Sequence, residues 1–102
     1  MASYYPICLN ITNKRCVIVG GGEVGARKVE NLIVCGARVV VIGRELTPTL
    51  EKLKQSGRIE HIEADYEASC LNGAFMIIGA TDSAEINKQI AADARALGIL
   101  VN

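Results

Sequence analysis

The feature that most constrains this fold is a glycine-rich turn between an apolar run and a segment of helical period. The run Arg15–Val19 is apolar throughout after its first residue, as is typical of a strand covered on both faces. It leads into Gly20, Gly22 and Gly25, which match the pattern Gly-x-Gly-x-x-Gly. The first glycine permits a tight turn, the second lets a phosphate approach the backbone, and the third lets the helix pack closely. The turn predicts a βα unit that binds the pyrophosphate of a dinucleotide.

Apolar runs and helix-period segments alternate along the rest of the chain, which is typical of repeated βα units and a parallel sheet. The predicted strands cover residues 15–19, 38–42, 59–63, 74–78 and 99–101. The predicted helices begin at Glu23, after Thr47-Pro48 and after Asp82 or Ser83, and they end near Gly36, Gly57 and Gly98. We therefore predict an α/β, Rossmann-like three-layer fold, with about five parallel strands in the order 3-2-1-4-5 and helices on both faces.

Length and charge limit the classes of protein that remain. The 102 residues fit one Rossmann-type domain, 1–102, which we expect to be truncated because its fifth strand stops at Asn102. Eleven basic and eleven acidic residues cancel, so nucleic acid is not an expected partner. With no long apolar run and no signal pattern, we expect a soluble, cytoplasmic protein that does not contact membranes. The first dozen residues are expected to lie along the sheet edge.

The cysteines and the single histidine give no indication of a metal site. Cys16 and Cys35 fall in apolar segments, so we expect buried thiols, with a metal or disulfide role as the alternative. His61 has no partner at ligand spacing and is expected to be a strand or surface histidine.

Two charged residues are expected at the adenosine end of the cofactor, roughly 20 residues past the turn. An acid such as Glu45 bonds the ribose hydroxyls of NAD, whereas an arginine such as Arg44 receives the 2′-phosphate of NADP. The adjacent pair leaves the choice open, and plain solvated loop charges are the alternative. Glu23 suits the positive end of the first helix, and we expect its side chain to point away from the phosphate while its N–H binds.

The fourth strand ends in a second candidate segment. In an open parallel sheet, ligands bind at the carboxyl ends of the strands where the connections diverge, here between strands one and four. Ala80 and Thr81 are therefore expected to touch the middle of the cofactor, and Asp82 either faces a substrate or caps the next helix. The sequence contains no Ser/His/Asp set, metal cage or Walker lysine, which leaves cofactor chemistry.

Several motifs together resemble the N-terminal part of siroheme synthase and of stand-alone precorrin-2 dehydrogenases. The more specific ones are the Gly-Gly-Gly-Glu-Val turn with Arg27-Lys28 soon after it, and the Ala-Thr-Asp that follows strand four. The remainder are Tyr5-Pro6-Ile7, Gly36-Ala37-Arg38-Val39, Glu45-Leu46-Thr47-Pro48, Asn87 and Val101-Asn102. The resemblance covers nearly the whole chain.

This resemblance implies an oxidoreductase of siroheme biosynthesis that oxidises precorrin-2 to sirohydrochlorin with NAD. Many members also insert ferrous iron, and a homodimer is expected for the full-length protein. The resemblance implies that Gly22, Glu23 and Val24 contact NAD and that Arg44 and Glu45 lie at its adenosine end. The family's acid–base aspartate follows the Val-Asn of strand five. No catalytic residue is therefore expected in this chain, which should bind NAD but turn over poorly alone.

Two other functions stay open on the residues. A regulatory nucleotide-binding module of the kind that gates potassium channels also opens with Gly-x-Gly-x-x-Gly. Such modules usually carry an aspartate at the end of strand two, where this chain has Gly43. An oxidoreductase acting on another small molecule is the second alternative.

Overall fold

The computed structural model describes residues 2–102 and consists of alternating strands and helices. The strands are β1 (Arg15–Val19), β2 (Arg38–Ile42), β3 (Glu60–Ile62), β4 (Met76–Gly79) and β5 (Leu100–Val101). The helices are α1 (Glu23–Val34), α2 (Pro48–Gln55) and α3 (Ala84–Ala96), with a short 3₁₀ helix at Ala68–Leu71. The strands form one parallel sheet in the order β3-β2-β1-β4-β5, so the predicted fold and strand order are confirmed.

The central strands are apolar on both sides because both faces of the sheet are covered. Cys16 and Ile18 face the core under α1 and α2, and Val17 and Val19 face the opposite core. The second core packs against Ile90 of α3 and the 3₁₀ helix, which takes the place of a full helix between β3 and β4. The sheet is thus packed between two aliphatic cores. The register of strand pairing brings the carboxyl ends of the strands to one edge of the sheet.

The ends of the helices follow the expected capping chemistry. The Thr47 hydroxyl accepts a hydrogen bond from the N–H of Leu50 at 3.3 Å, with Pro48 in the first turn of α2. For α3 the cap is Ser83, whose hydroxyl accepts from the N–H of Ile86 at 3.2 Å. Asp82 is therefore not the N-cap, and its carboxylate is available for another role.

Some apolar positions do not lie where their spacing predicts. Cys35 is exposed rather than buried because it follows the last residue of α1, where the chain turns at Gly36 with φ +81°. Residues 2–10 are exposed, with Tyr4 90% accessible, and it is Ile11 that packs into the core. Residues 2–10 form no strand, so of the predicted lead-in it is Ile11 that contributes to the core.

Candidate functional site

The glycine turn is held at the sheet's carboxyl edge by backbone hydrogen bonds. The N–H of Gly20 donates to the carbonyl of Ile42 at 2.8 Å, and the N–H of Ala80 donates to the carbonyl of Val19 at 2.8 Å. The N–H of Thr47 donates to the carbonyl of Gly21 at 3.0 Å. The turn is thus tied to the ends of β2 and β4 before any ligand binds.

Crowding explains why glycines are required in this turn. Gly20 has φ +122°, and a Cβ there would lie 2.5 Å from the carbonyl oxygen of Ala80. A Cβ on Gly21 would collide with the carbonyl oxygen of Glu45, and one on Gly25 would collide with that of Gly20. In each case the obstacle is backbone, which has no easy way to move. Close approach of main chain to main chain therefore excludes side chains at these positions.

Gly22 differs from its neighbours. It has ordinary backbone angles, φ −87° and ψ −166°, and a Cβ there would meet no protein atom within 4 Å. It is the N-cap of α1 and offers no side-chain cap. Among residues 2–102, no backbone carbonyl accepts from the N–H groups of Gly22, Glu23 or Val24. These donors and the positive helix end suit an anion, and the space in front of Gly22 holds no protein atom. We call the three N–H groups the anion cradle.

A cleft of about 760 Å³ opens beside this turn at the β1/β4 switch point. We call it the dinucleotide cleft. Its lining residues come from four loops and α3: Val19–Val24, Ile42–Glu45, Ala64–Tyr66, Ala80–Asp82, Ile86 and Gln89. Its size lies in the range of cofactor sites. The glycine turn and the apolar side chains of Val19, Ile42 and Ile86 fit a dinucleotide.

The cleft contains nearly all the residues chosen from the sequence. Gly20, Gly22, Glu23 and Val24 line the cleft on the side of the turn, and Arg44 and Glu45 line it where β2 ends. Ala80, Thr81 and Asp82 line it where β4 ends, next to Gly20. Gly25 is the exception, because it is buried beneath the turn against Ile18 and supports the cleft from behind.

The segment after β4 is shaped by Asn87 of α3. The Asn87 amide donates to the carbonyl of Thr81 at 3.0 Å, and its oxygen accepts from the N–H of Thr81 at 3.2 Å and from the Thr81 hydroxyl at 2.6 Å. The same hydroxyl oxygen accepts from the N–H of Ser83 at 3.2 Å. Asn87 therefore fixes the Ala80–Asp82 wall, a role that its place in a sequence motif did not indicate.

Other lining residues escaped the sequence analysis. Asp65 and Tyr66 follow β3 and line the cleft. They could have been predicted from their position after a strand, because ligands bind at the carboxyl ends of parallel strands. Ile86 matched the helical spacing of a core residue but is 41% exposed, because it lies in the first turn of α3 beside the cleft. The Tyr66 hydroxyl donates to Asp93 Oδ2 at 2.6 Å and so ties this loop to α3.

Burial and pairing change the ionisation of two of these groups. Burial raises the pKa of Tyr66, and the hydrogen bond to Asp93 and its negative charge raise that pKa further. The hydrogen bond from Arg44, and then its charge, lower the pKa of Asp65. His61 is half-buried in β3, where Nε2 donates to the carbonyl of Gly43 at 2.7 Å and Nδ1 faces Lys54 Nζ at 3.2 Å. It is a strand histidine, as expected.

The fold and the cleft together define a dinucleotide-binding domain of the Rossmann class. A family model described as "Putative NAD(P)-binding" matches residues 7–102, and the chain belongs to that family. Within residues 2–102, no helix is long and apolar enough to cross a bilayer.

Relatives in sequence are siroheme synthases. The chain is 44% identical over 99 residues to the siroheme synthase of Chromobacterium violaceum and 43% identical over 97 residues to that of Methylobacillus flagellatus. These alignments cover 97% and 95% of this chain but 21% of each relative, so the chain spans about a fifth of their length. The resemblance seen in the sequence motifs is confirmed.

Solved structures support the fold. SirC, a precorrin-2 dehydrogenase, superposes with a TM-score of 0.78 at 20% identity, over 97% of this chain and 48% of that one. The apo D-lactate dehydrogenase of Escherichia coli gives a TM-score of 0.67 at 13% identity, over 91% of this chain and 29% of that one. At such identities the likeness concerns the fold, which is Rossmann-like in both.

Proposed function

We propose that this chain is the NAD-binding domain of a cytoplasmic precorrin-2 dehydrogenase of siroheme biosynthesis. The observation that carries the proposal is the anion cradle at Gly22, Glu23 and Val24, which opens into the dinucleotide cleft. The similarity to siroheme synthases supports the particular reaction, the oxidation of precorrin-2 to sirohydrochlorin. The same matches do not favour a potassium-channel gating module.

Each part of the cleft then has a role. The N–H groups of Gly22, Glu23 and Val24 hold the pyrophosphate, and the exposed Glu23 side chain is left to solvent. Arg44 and Glu45 border the adenosine end, where Gly43 leaves room beside Gly21. Ala80 and Thr81, fixed by Asn87, border the middle of the dinucleotide.

Asp82 is the chain's candidate for a group that faces substrate. It is exposed, lines the cleft, and its carboxylate accepts no hydrogen bond from residues 2–102. NAD, when bound, supplies a hydride acceptor for the reduced macrocycle, and the protein positions the two and excludes water. Ferrous iron as a second substrate and a homodimer are proposed for the whole protein.

Calorimetric titration with NAD tests this proposal in wild type and in Gly22→Ala. We expect wild type to bind NAD, and the added methyl group to lower the affinity at least about tenfold because it fills the phosphate position. Urea denaturation is the control for folding. The stability should fall by less than about 1 kcal/mol, since the new Cβ meets no protein atom. Equal NAD affinity in the two proteins would contradict the proposed cradle.

The reaction itself needs the whole protein that carries this domain. Its Gly22→Ala variant should lose NAD-dependent oxidation of precorrin-2, followed by absorbance, while remaining folded. If Gly22→Ala oxidised precorrin-2 as fast as wild type, NAD bound at this cleft would not be the oxidant of the reaction.

A further inference from the structure

A forked ion pair borders the dinucleotide cleft and was not anticipated from the sequence. Arg44 Nε lies 3.2 Å from Asp65 Oδ1, and Arg44 Nη2 lies 3.3 Å from Asp65 Oδ2. The two residues follow different strands, β2 and β3, and both line the cleft. The guanidinium therefore presents one edge to a carboxylate of its own chain, in the bidentate geometry that arginine also uses for phosphate.

The charges around the cleft make this pair consequential. Among the lining residues that the structure describes, Arg44 is the one cation, while the acids are Glu23, Glu45, Asp65 and Asp82. A 2′-phosphate on the adenosine ribose requires an arginine near the end of β2 to receive it. Here that arginine is already matched by Asp65, and Glu45 lies beside it in the chain.

We propose that Asp65 is a specificity-determining residue, which holds Arg44 in a bidentate pair and so makes the cleft select NAD against NADP. The inference rests on the proposed function, because it needs the adenosine end at Gly43–Glu45. A 2′-phosphate that approaches Arg44 finds one edge of the guanidinium and much of its charge already taken by Asp65, and it meets the Asp65 carboxylate at short range. NAD, which has hydroxyls at this position, meets neither obstacle.

Two observations suit the pair to this role. The hydrogen bond from Arg44, followed by its charge, lowers the pKa of Asp65, so the carboxylate keeps its negative charge at neutral pH. Both side chains are well exposed, at 61% for Arg44 and 80% for Asp65. Exposed pairs contribute little to stability. The pair can therefore be altered without unfolding the domain.

The test is calorimetric titration of wild type and Asp65→Asn with NAD and with NADP. We expect the NADP-to-NAD affinity ratio of Asp65→Asn to rise about tenfold, through the freed arginine and the lost repulsion. Glu67→Gln is the matched control. Glu67 is an exposed acid two residues further along, outside the cleft lining, so both its affinities should stay at the wild-type values.

The double variant Arg44→Ala/Asp65→Asn tests the route through arginine. It should lose most of the NADP gain of Asp65→Asn. A gain that persists in the double variant contradicts the release of Arg44, and an unchanged NADP-to-NAD ratio in Asp65→Asn overturns the proposal. In both cases NAD binding by wild type leaves the proposed function intact. Failure of wild type to bind NAD overturns both.

Discussion

Two parts of the dinucleotide cleft, the glycine turn and the adenosine end, are built in different ways. At the glycine turn, backbone groups both shape the site and offer the donors, and the segment is bonded to β2 and β4 through main-chain atoms. At the adenosine end, exposed side chains from separate loops meet across the surface, as Arg44 and Asp65 do. The turn is held by the edge of the sheet, whereas the adenosine end can be altered residue by residue.

Because of this difference, the glycine turn and the adenosine end control different properties of the domain. A side chain at Gly20, Gly21 or Gly25 displaces main chain, so binding and folding are coupled at those positions. Gly22 is the exception in the turn, because a Cβ there meets no protein atom. A change at Arg44 or Asp65 alters which dinucleotide fits and leaves the two cores as they are. Binding of the shared pyrophosphate and choice between NAD and NADP are thus assigned to different residues.

The largest expected effect belongs to the turn. Gly20→Ala places a Cβ 2.5 Å from the Ala80 carbonyl oxygen in a residue with φ +122°. We expect this variant to lose about 3 kcal/mol of stability, through backbone strain and displacement of the Ala80 segment, and to lose NAD binding. Urea denaturation and calorimetry measure the two effects. Wild-type stability in this variant would show that the turn is not constrained by β4.

The next largest effect concerns the Ala80–Asp82 segment of the cleft, which Asn87 holds in place. Asn87→Ala removes three hydrogen bonds to Thr81 and should lower stability by about 1–2 kcal/mol, with weaker NAD binding because the Ala80–Asp82 segment loosens. Lys88→Ala, at the exposed neighbouring position, is the control. If urea denaturation showed the same loss of stability in Asn87→Ala and Lys88→Ala, Asn87 would have no specific role.

The parts of the site that the sequence predicts are those that depend on residues close together in the chain. The Gly20–Gly25 turn and the Thr47 cap were predictable from glycine spacing and from a hydroxyl before proline, and the strand order from the general order of Rossmann-like repeats. Asp65 and Tyr66 were not assigned to the cleft, since their partners lie 21 and 27 residues away and only the folded sheet brings them together. Cys35 was misplaced because it is the C-cap of α1, at an exposed end of the helix where Val34 is also exposed.

A smaller effect concerns Tyr66, whose pKa is raised by burial and by Asp93. The folded protein then keeps the phenolic proton where the unfolded chain, with a tyrosine pKa of about 10, loses it. Its stabilising contribution is present below about pH 10 and falls as the pH rises further.

Tyr66→Phe should cost about 1 kcal/mol at neutral pH, through the lost bond to Asp93. Between about pH 9 and about pH 11 its stability in urea should fall less than that of wild type, because it has no phenol to ionise. Tyr5→Phe, at an exposed tyrosine, should follow wild type. If the stability of Tyr66→Phe fell with rising pH as steeply as that of wild type, Tyr66 would not be the source of this pH dependence.

The smallest expected effect is at the adenosine end. Arg44→Ala should leave the urea midpoint unchanged, because the ion pair with Asp65 is exposed to solvent and makes little contribution to folding. A clear drop in the urea midpoint of Arg44→Ala would mean that the adenosine end, like the glycine turn, contributes to folding.

Nuclear magnetic resonance of the amide groups during NAD titration can locate the pyrophosphate, because each N–H reports its own surroundings. We expect the largest shifts at Gly22, Glu23 and Val24, with smaller ones at Arg44, Glu45 and Thr81. No shifts are expected at the opposite end of the sheet, in the groove of about 280 Å³ bordered by Arg15, Arg38 and Arg58. Shifts concentrated in that groove, or none in the turn, would contradict binding of the pyrophosphate at the turn.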